Sequence, residues 1–385
     1  MKSNVLIFIS HYLPGYKIGG PLNSIISITE NLEQHFSFNI ITSDRDMGDL
    51  TPYKGIVTDK WLKLSNIKIK YLKVDVGYYL KVYNELKNKS YDTIYLNSFF
   101  DFNFSIFIVF LFKLKLVKVK QIILAPRGEL FDEALKFGKL KKKLFLLLAK
   151  RFNLYKDIIW HSTAQIETPT IRKLNNSDKI KLVEVLSNND SKTIWIEDPI
   201  FELNEKNFLK VIFLSRISKE KNLIYCIKTL KKISSNIELH IYGPIEDQTI
   251  WSKCLNEIKK LPNNICVLYK GIVEPNKVKS IFSKYDLFFF PTHLENYGHV
   301  INESLSVGTP VLISDNTPWR KLEEKGLGWD YNLKSRSLFV KVIENFSNFS
   351  QSEKDQKRSK TLMNYKNFSN KDILIKKYIK LFNGE

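Results

Sequence analysis

This sequence predicts an α/β protein made of two doubly wound domains, and three observations carry that prediction. Short apolar runs bounded by turn residues alternate with longer amphipathic segments. The alternation breaks in an irregular stretch around 187–199 and then restarts. The 385 residues suit two or three domains at roughly 150 residues each.

Val5–Ser10 is the first strand, apolar without alternation, as a parallel strand covered on both faces must be. Leu22–Gln34 follows as an amphipathic helix, then strand Phe36–Thr42, a helix near Tyr79–Leu86, and strands Thr93–Asn97 and Ile122–Ala125. Past the break come strand Leu209–Leu214, a helix from Asn222, strand Ile237–Tyr242, a helix near Gln248–Lys260 and strand Ile265–Tyr269. Helix Asn276–Ser283, strand Asp286–Phe290, helix Tyr297–Val307 and strand Val311–Ser314 complete the second series, and Asp372–Phe382 reads as a terminal helix. The expected domains are 1–190 and 191–370, with 371–385 as a closing helix. No short-period repeat occurs, which excludes a solenoid.

A hydrophobic fraction of 44% with few glycines and prolines excludes a disordered or collagen-like chain. Sixty Lys and Arg against forty Asp and Glu leave a net charge of +20, which attracts phosphates, nucleic acid or anionic lipid without choosing among them. Cys226, Cys254 and Cys266 are odd in number and lack any C-x-x-C spacing, against a disulfide framework or a thiolate metal cluster. A reducing cytosol fits them. The first strand is too short for a signal peptide, and the longest uncharged apolar run, Phe102–Phe112, falls far short of the roughly 20 residues that cross a bilayer.

Doubly wound sheets bind ligands beyond the carboxyl ends of their strands, so the loops after strands are where chemistry is sought. Pro291 to Glu303, directly after the strand ending at Phe290, places Asn296, Tyr297, Gly298 and His299 at a helix start that favours an anion. Glu295 lies in that loop, and Glu303 about a turn into the helix, where it is suited to sugar hydroxyls rather than to the anion. Arg216 and Lys221 sit where another strand turns into a helix, two cations able to neutralise a departing diphosphate. Gly19-Gly20 precede the first helix without forming a G-x-G-x-x-G fingerprint, and no Walker A sequence occurs.

Together with Gly243 in Ile241-Tyr242-Gly243-Pro244 and the run Gly308-Thr309-Pro310-Val311, these features resemble family-four glycosyltransferases of the GT-B fold, across essentially the whole chain. Ala125-Pro126-Arg127-Gly128-Glu129-Leu130 and Ser314-Asp315-Asn316-Thr317-Pro318-Trp319 look like the branch found in bacterial surface-polysaccharide clusters. The resemblance implies two Rossmann-like domains across a cleft, the first for acceptor and the second for donor, with the chain end returning to the first. It implies a retaining transferase that needs no metal or cofactor and uses a UDP- or GDP-linked sugar. Arg216 and Lys221 match residues on the diphosphate, Glu295 the carboxylate near the donor sugar, Glu303 the one on the ribose. Asn296 to His299 match the loop around sugar and phosphate, and Gly243 and Val273 lie where base recognition is expected.

Relatives often carry a histidine facing the donor sugar where this chain reads Pro126-Arg127-Gly128-Glu129. Arg127 stays protonated and cannot be a base; it either acts on charge, including an acceptor phosphate, or forms a structural ion pair with Glu129. His11 and His161 follow strands and are candidates for cleft contacts. No D-x-D sequence is expected at a strand end, consistent with metal independence.

The segment 134–156 carries eight Lys and Arg, no acid and a run of leucines, a pattern suited to an anionic bilayer surface, the alternative being a core helix with a solvated lysine face. The expected function is sugar transfer from a nucleotide-sugar to a saccharide acceptor carried on polyprenyl diphosphate, for O-antigen, capsule or exopolysaccharide. The expected place is the cytoplasm, peripheral on the inner face of the cell membrane, with no nucleic-acid partner. The competing readings are a nucleotide-sugar epimerase on the same fold, a phosphorylase with a lysine committed to pyridoxal phosphate, and a noncatalytic basic protein that binds membrane or nucleic acid.

Overall fold

The computed structural model describes residues 2–131, 134–135, 139–174, 179–186, 208–368 and 371–385. The chain divides into two compact units, Met1–Asn188 with Lys371–Glu385, and Asn189–Asn370. The irregular stretch around 187–199 and the junction at 190 lie outside the described residues.

The first unit is built on an eight-stranded sheet: β1 (Ser3–Phe8), β2 (Phe36–Ser43), β3 (Trp61–Leu64), β4 (Ile67–Leu72), β5 (Tyr91–Leu96), β6 (Val119–Leu124), β7 (Ile159–Ser162) and β8 (Ile180–Leu182). Their spatial order is β3-β4-β2-β1-β5-β6-β7-β8, and every neighbouring pair is parallel except the antiparallel hairpin β3–β4. The helices are α1 (Gly20–Leu32), α2 (Val76–Asn88), α3 (Phe107–Lys113, entered through one π-helical turn), α4 (Lys139–Arg151) and α5 (Thr168–Leu174). From Val5 to Phe8 β1 is wholly apolar because both its faces are covered: Leu6 and Phe8 join a core with Tyr78, Val82 and Ile108, whereas Val5 and Ile7 join another with Ile25 and Ile28.

The second unit carries β9 (Leu209–Leu214), β10 (Ile237–Tyr242), β11 (Ile265–Gly271), β12 (Leu287–Phe290), β13 (Val311–Ser314) and β14 (Gly328–Tyr331), all parallel, in the order β11-β10-β9-β12-β13-β14. Around them lie α6 (Leu223–Leu230), α7 (Gln248–Ile258), α8 (Val278–Phe282), α9 (His299–Ser306), α10 (Arg336–Ser347) and α11 (Gln351–Phe368).

The last helix, α12 (Lys371–Asn383), returns to the first sheet. The Phe382 carbonyl accepts hydrogen bonds from Thr93 Oγ1 at 3.1 Å and Gln121 Nε2 at 2.7 Å, and the Phe382 ring packs edge-on against Phe36. Chain alternation foretold both sheets but missed β3–β4, α3, β7, α5, β8, β14, α10 and α11. All three cysteines are free, Cys226 and Cys254 buried and Cys266 exposed. Among the described residues no helix is long and apolar enough to cross a membrane.

Candidate active site

In the second sheet β9 lies between β10 and β12, so the strand order reverses beside it. Doubly wound sheets take ligands at such a reversal, beyond the strand ends. The loops flanking it are 215–222, which carries Arg216 and Lys221, and 291–298, which carries Glu295, Asn296, Tyr297 and Gly298.

Those two loops are bonded to each other. The Glu220 carbonyl accepts from His293 N–H at 2.7 Å and from Thr292 Oγ1 at 3.0 Å, and Asn222 Nδ2 donates to the Pro291 carbonyl at 2.9 Å. Lys221 Nζ then lies 2.7 Å from Glu295 Oε2 and 5.6 Å from the centre of the Phe290 ring. A third segment holds the second loop in place: the Asn316 carbonyl accepts from Glu295 N–H at 3.1 Å, Ser314 Oγ donates to the Thr292 carbonyl, and Trp319 Nε1 donates to the Tyr297 carbonyl. Sequence reading singled out 314–319 without a role; it is the brace of the glutamate loop.

Gly298 is the N-cap of α9 at a φ of +82°, and a Cβ there would stand 2.8 Å from Ile301 Cδ1. The helix starts at His299 with no side-chain cap, so the positive end of its dipole faces the glutamate loop. Glu303, over a turn further along, makes no side-chain hydrogen bond or ion pair among the described residues, and burial pushes its carboxyl up to about 7, opposed in part by Lys279. Gly243 ends β10 at a φ of +128°, where a Cβ would fall 1.9 Å from the Ser215 carbonyl oxygen. Its N–H donates to the Gly271 carbonyl at 2.8 Å, tying it to the strand that leads to the half-buried Val273.

The two cations are not left open, as the sequence suggested. Lys221 is paired with Glu295, and Arg216, which is exposed, with Glu246 at 2.6 Å. A lysine ammonium has three N–H groups, so the Glu295 bond leaves Lys221 further donors for a phosphate.

In the first unit, Gly19 is the N-cap of α1 at a φ of +65°, with nothing near a Cβ, so its requirement is backbone conformation; Gly20 is the first residue of that helix. His11 Nδ1 lies 2.8 Å from the Arg45 carbonyl. Arg127 and Glu129 form no ion pair. Glu129 instead accepts from Ser98 Oγ, Phe99 N–H and Phe100 N–H at 2.7 to 2.9 Å, and burial raises its carboxyl. It is a loop brace. His161 is fully buried against Tyr95 and the Val183 carbonyl, removing it from the cleft candidates. Against the sequence expectation, Asp44-Arg45-Asp46 is a D-x-D directly after β2. Both carboxylates are used internally, Asp44 by Arg45 Nε at 2.8 Å, Asp46 by the N–H groups of Tyr16, Lys17 and Met47.

α4 carries its own surprise. Phe145, Leu146 and Ala149 pack inward, yet Leu140, Leu144, Leu147 and Leu148, with Phe152 beyond, are exposed on another face. Leu140 is 85% exposed and Leu147 67%, so the outer face is apolar as well as basic. Lys136, Phe137 and Gly138 of the basic segment lie outside the described residues.

Solved structures share this architecture over nearly the full chain. Anabaena Alr3699/HepE in complex with UDP and glucose superposes with a TM-score of 0.70 at 13% identity, covering 100% of both chains. The chain has the GT-B fold. WaaG, a glycosyltransferase involved in lipopolysaccharide biosynthesis, gives 0.65 at 14% identity over 99% of this chain and 100% of its own, and a UDP-forming trehalose-phosphate synthase from Burkholderia xenovorans gives 0.71 at 11% over 100% and 99%. Residues 196–360 match the family model of glycosyl transferases group 1. The capsular polysaccharide biosynthesis glycosyltransferase CapM of Staphylococcus aureus is 26% identical over 175 residues, 44% of this chain and 43% of CapM. The aligned part thus spans less than half of that curated relative.

Proposed function

We propose that this protein is a retaining glycosyltransferase that moves a sugar from a nucleoside diphosphate, UDP or GDP, to a saccharide carried on a polyprenyl diphosphate. The observation that carries the reading is the Lys221–Glu295 pair at the strand reversal, beside the N-terminus of α9. The match of 196–360 to glycosyl transferases group 1 and the UDP bound by HepE support the donor class. CapM and WaaG support a role in a surface polysaccharide of the kind that capsule and lipopolysaccharide represent.

In this reading the bond between the anomeric carbon and the β-phosphate oxygen breaks, and the diphosphate leaves with the bonding pair. Lys221, the dipole of α9 and Arg216, once released from Glu246, stabilise the charge that develops, with no metal required. The acceptor hydroxyl adds to the same face of the sugar and its proton passes to the leaving diphosphate. Glu303 accepts hydrogen bonds from the ribose, Glu295 orients the donor sugar, and Gly243 and Val273 border the base. The first unit takes the acceptor.

The protein works in the cytoplasm at the inner face of the membrane, where the leucine face of α4 enters the lipid boundary and Lys141, Lys142, Lys143, Lys150 and Arg151 meet anionic headgroups. Calorimetric titration with UDP, GDP, ADP and CMP in EDTA tests the donor assignment. Selective binding of UDP or GDP that Glu303→Ala abolishes supports it; binding that needs a divalent cation, or none, defeats it. The anomeric configuration of the product, read by NMR, tests retention.

A further inference from the structure

The first sheet has its own reversal, with β1 between β2 and β5. Asn97 follows β5 there, and Arg127 follows the adjacent β6. Arg127 is held in a costly backbone conformation, with a φ of +55°, while the next N–H, of Gly128, is fastened to Glu167 Oε1 at 2.6 Å. Its guanidinium is fixed as firmly: Nε donates to Asn97 Oδ1 at 2.8 Å and Nη2 to the Tyr95 hydroxyl at 3.0 Å.

That hydroxyl is itself committed. Burial, with the nearby Arg127 charge, holds His161 neutral by pushing its imidazole down to about 3. Its Nε2–H donates to the Val183 carbonyl at 2.8 Å, so Nδ1 accepts from Tyr95 at 2.8 Å. The Tyr95 oxygen is therefore an acceptor toward Arg127, and the whole chain of bonds runs one way. Two donors are left over. Arg127 Nη1 and Asn97 Nδ2 are buried without a partner, on residues that bond to each other, and Asn97 is only 6% exposed.

The neighbouring carboxylates do not meet them. Glu129 is taken by Ser98, Phe99 and Phe100, and Glu167 by Thr163 and Gly128. Arg127 has no ion pair among the described residues. The partly buried Arg127 guanidinium feels the charge of the buried Glu167 without touching it, and a phosphoryl group matches its fork better than a neutral hydroxyl does.

We propose that Arg127 Nη1 and Asn97 Nδ2 form a binding site for a phosphoryl oxyanion, the phosphate or diphosphate of the acceptor. The identity of that ligand as the acceptor rests on the proposed transfer; the anion site stands on the first unit alone.

The test is titration of the UDP-saturated protein with inorganic pyrophosphate, geranyl diphosphate and glucose 1-phosphate, repeated on Arg127→Gln, Arg127→Lys and Asn97→Ala. The expected result is at least tenfold weaker binding in Arg127→Gln, several-fold weaker in Asn97→Ala and an intermediate loss in Arg127→Lys. A rise in the wild-type melting temperature with the probe should be missing in Arg127→Gln. Tighter binding of geranyl diphosphate than of pyrophosphate identifies a lipid carrier as the source, and tighter binding of glucose 1-phosphate a soluble sugar phosphate; each supports the site. If no probe binds the wild type, or all bind the variants equally, the proposal is overturned. Should Arg127→Gln fail to fold, Asn97→Ala and Arg127→Lys decide. Failure of the transferase reading shows separately, as absent binding of UDP and GDP, and leaves the difference between wild type and variants readable.

Discussion

Lys221 Nζ and Glu295 Oε2 lie 2.7 Å apart although 74 positions separate them in the chain. Their side chains are 15% and 17% exposed, so the pair is mostly out of water and joins the β9 and β12 loops into one rigid surface. In the proposed reaction the cation for the diphosphate and the carboxylate for the sugar are thus positioned by each other before any substrate arrives.

Lys221→Met should lower kcat by about 10²- to 10³-fold, the scale for losing a charge-stabilising donor, and cost the fold about 1–3 kcal/mol by stranding Glu295. Because the two groups satisfy each other, adding Glu295→Gln should recover part of the stability and none of the rate. Urea unfolding of both single variants and the double variant, alongside steady-state kinetics, checks this; additive stability losses would contradict a coupled pair.

Glu303 gives a pH dependence with a definite sign. Its folded-state carboxyl titrates at about 7, above the ordinary 4.5 of a glutamate, because burial disfavours the charge. A raised carboxyl contributes stability that is fully present below its unfolded value and is lost as pH climbs to about 7. Glu303→Gln should flatten that part of the stability curve. A carboxylate accepts a hydroxyl's hydrogen bond more strongly than the protonated acid does, so with the proposed ribose contact nucleotide affinity should rise from about pH 6 to about pH 8 in the wild type more steeply than in Glu303→Gln, as calorimetry would show.

The glutamate loop was legible because its signals are local: the wholly apolar strand Leu287–Phe290, a glycine at the turn, a helix after it. α11 was not, because what it buries is Lys354, Thr361 and Tyr365, and a lysine 3.7 Å from Asp286 looks like any surface lysine in a chain that has so many. The β3–β4 hairpin hid for a similar reason, its Lys63 facing Lys68 directly across the pair. His161 and Glu129 followed strands as cleft residues do, yet their side chains turn inward, and direction is not written in spacing. The brace at 314–319 had one usable signal, a tryptophan in a segment otherwise made of turn residues.

Trp319 tests whether that brace matters. Trp319→Phe keeps an aromatic ring near Tyr297 and removes the pyrrole part of the buried indole together with the N–H donated to the Tyr297 carbonyl. Donor KM should rise about tenfold, equivalent to roughly 1.4 kcal/mol, alongside a lower melting temperature from the lost packing. An unchanged KM would show the loop to be held without it.

Gly243 admits no side chain. A Cβ placed 1.9 Å from the Ser215 carbonyl oxygen, on a φ of +128°, must push the ends of β9 and β10 apart. Gly243→Ala should cost more than about 3 kcal/mol and remove nucleotide binding, measured by thermal unfolding and calorimetry on the soluble fraction. A stable variant with wild-type affinity would show that the strand ends tolerate separation.

The outer face of α4 tells a membrane helix from a solvated one. A helix that merely covers the core would keep charge outward, whereas here Leu144 is 60% and Leu147 67% exposed between the basic residues. Leu144→Glu with Leu147→Glu removes apolar contact and adds repulsion from anionic headgroups while touching no core residue. Sedimentation with vesicles of phosphatidylglycerol and phosphatidylethanolamine should fall at least tenfold, and transfer to a short water-soluble acceptor should persist because the donor loops are untouched. Equal sedimentation of variant and wild type would move the membrane contact elsewhere on the chain.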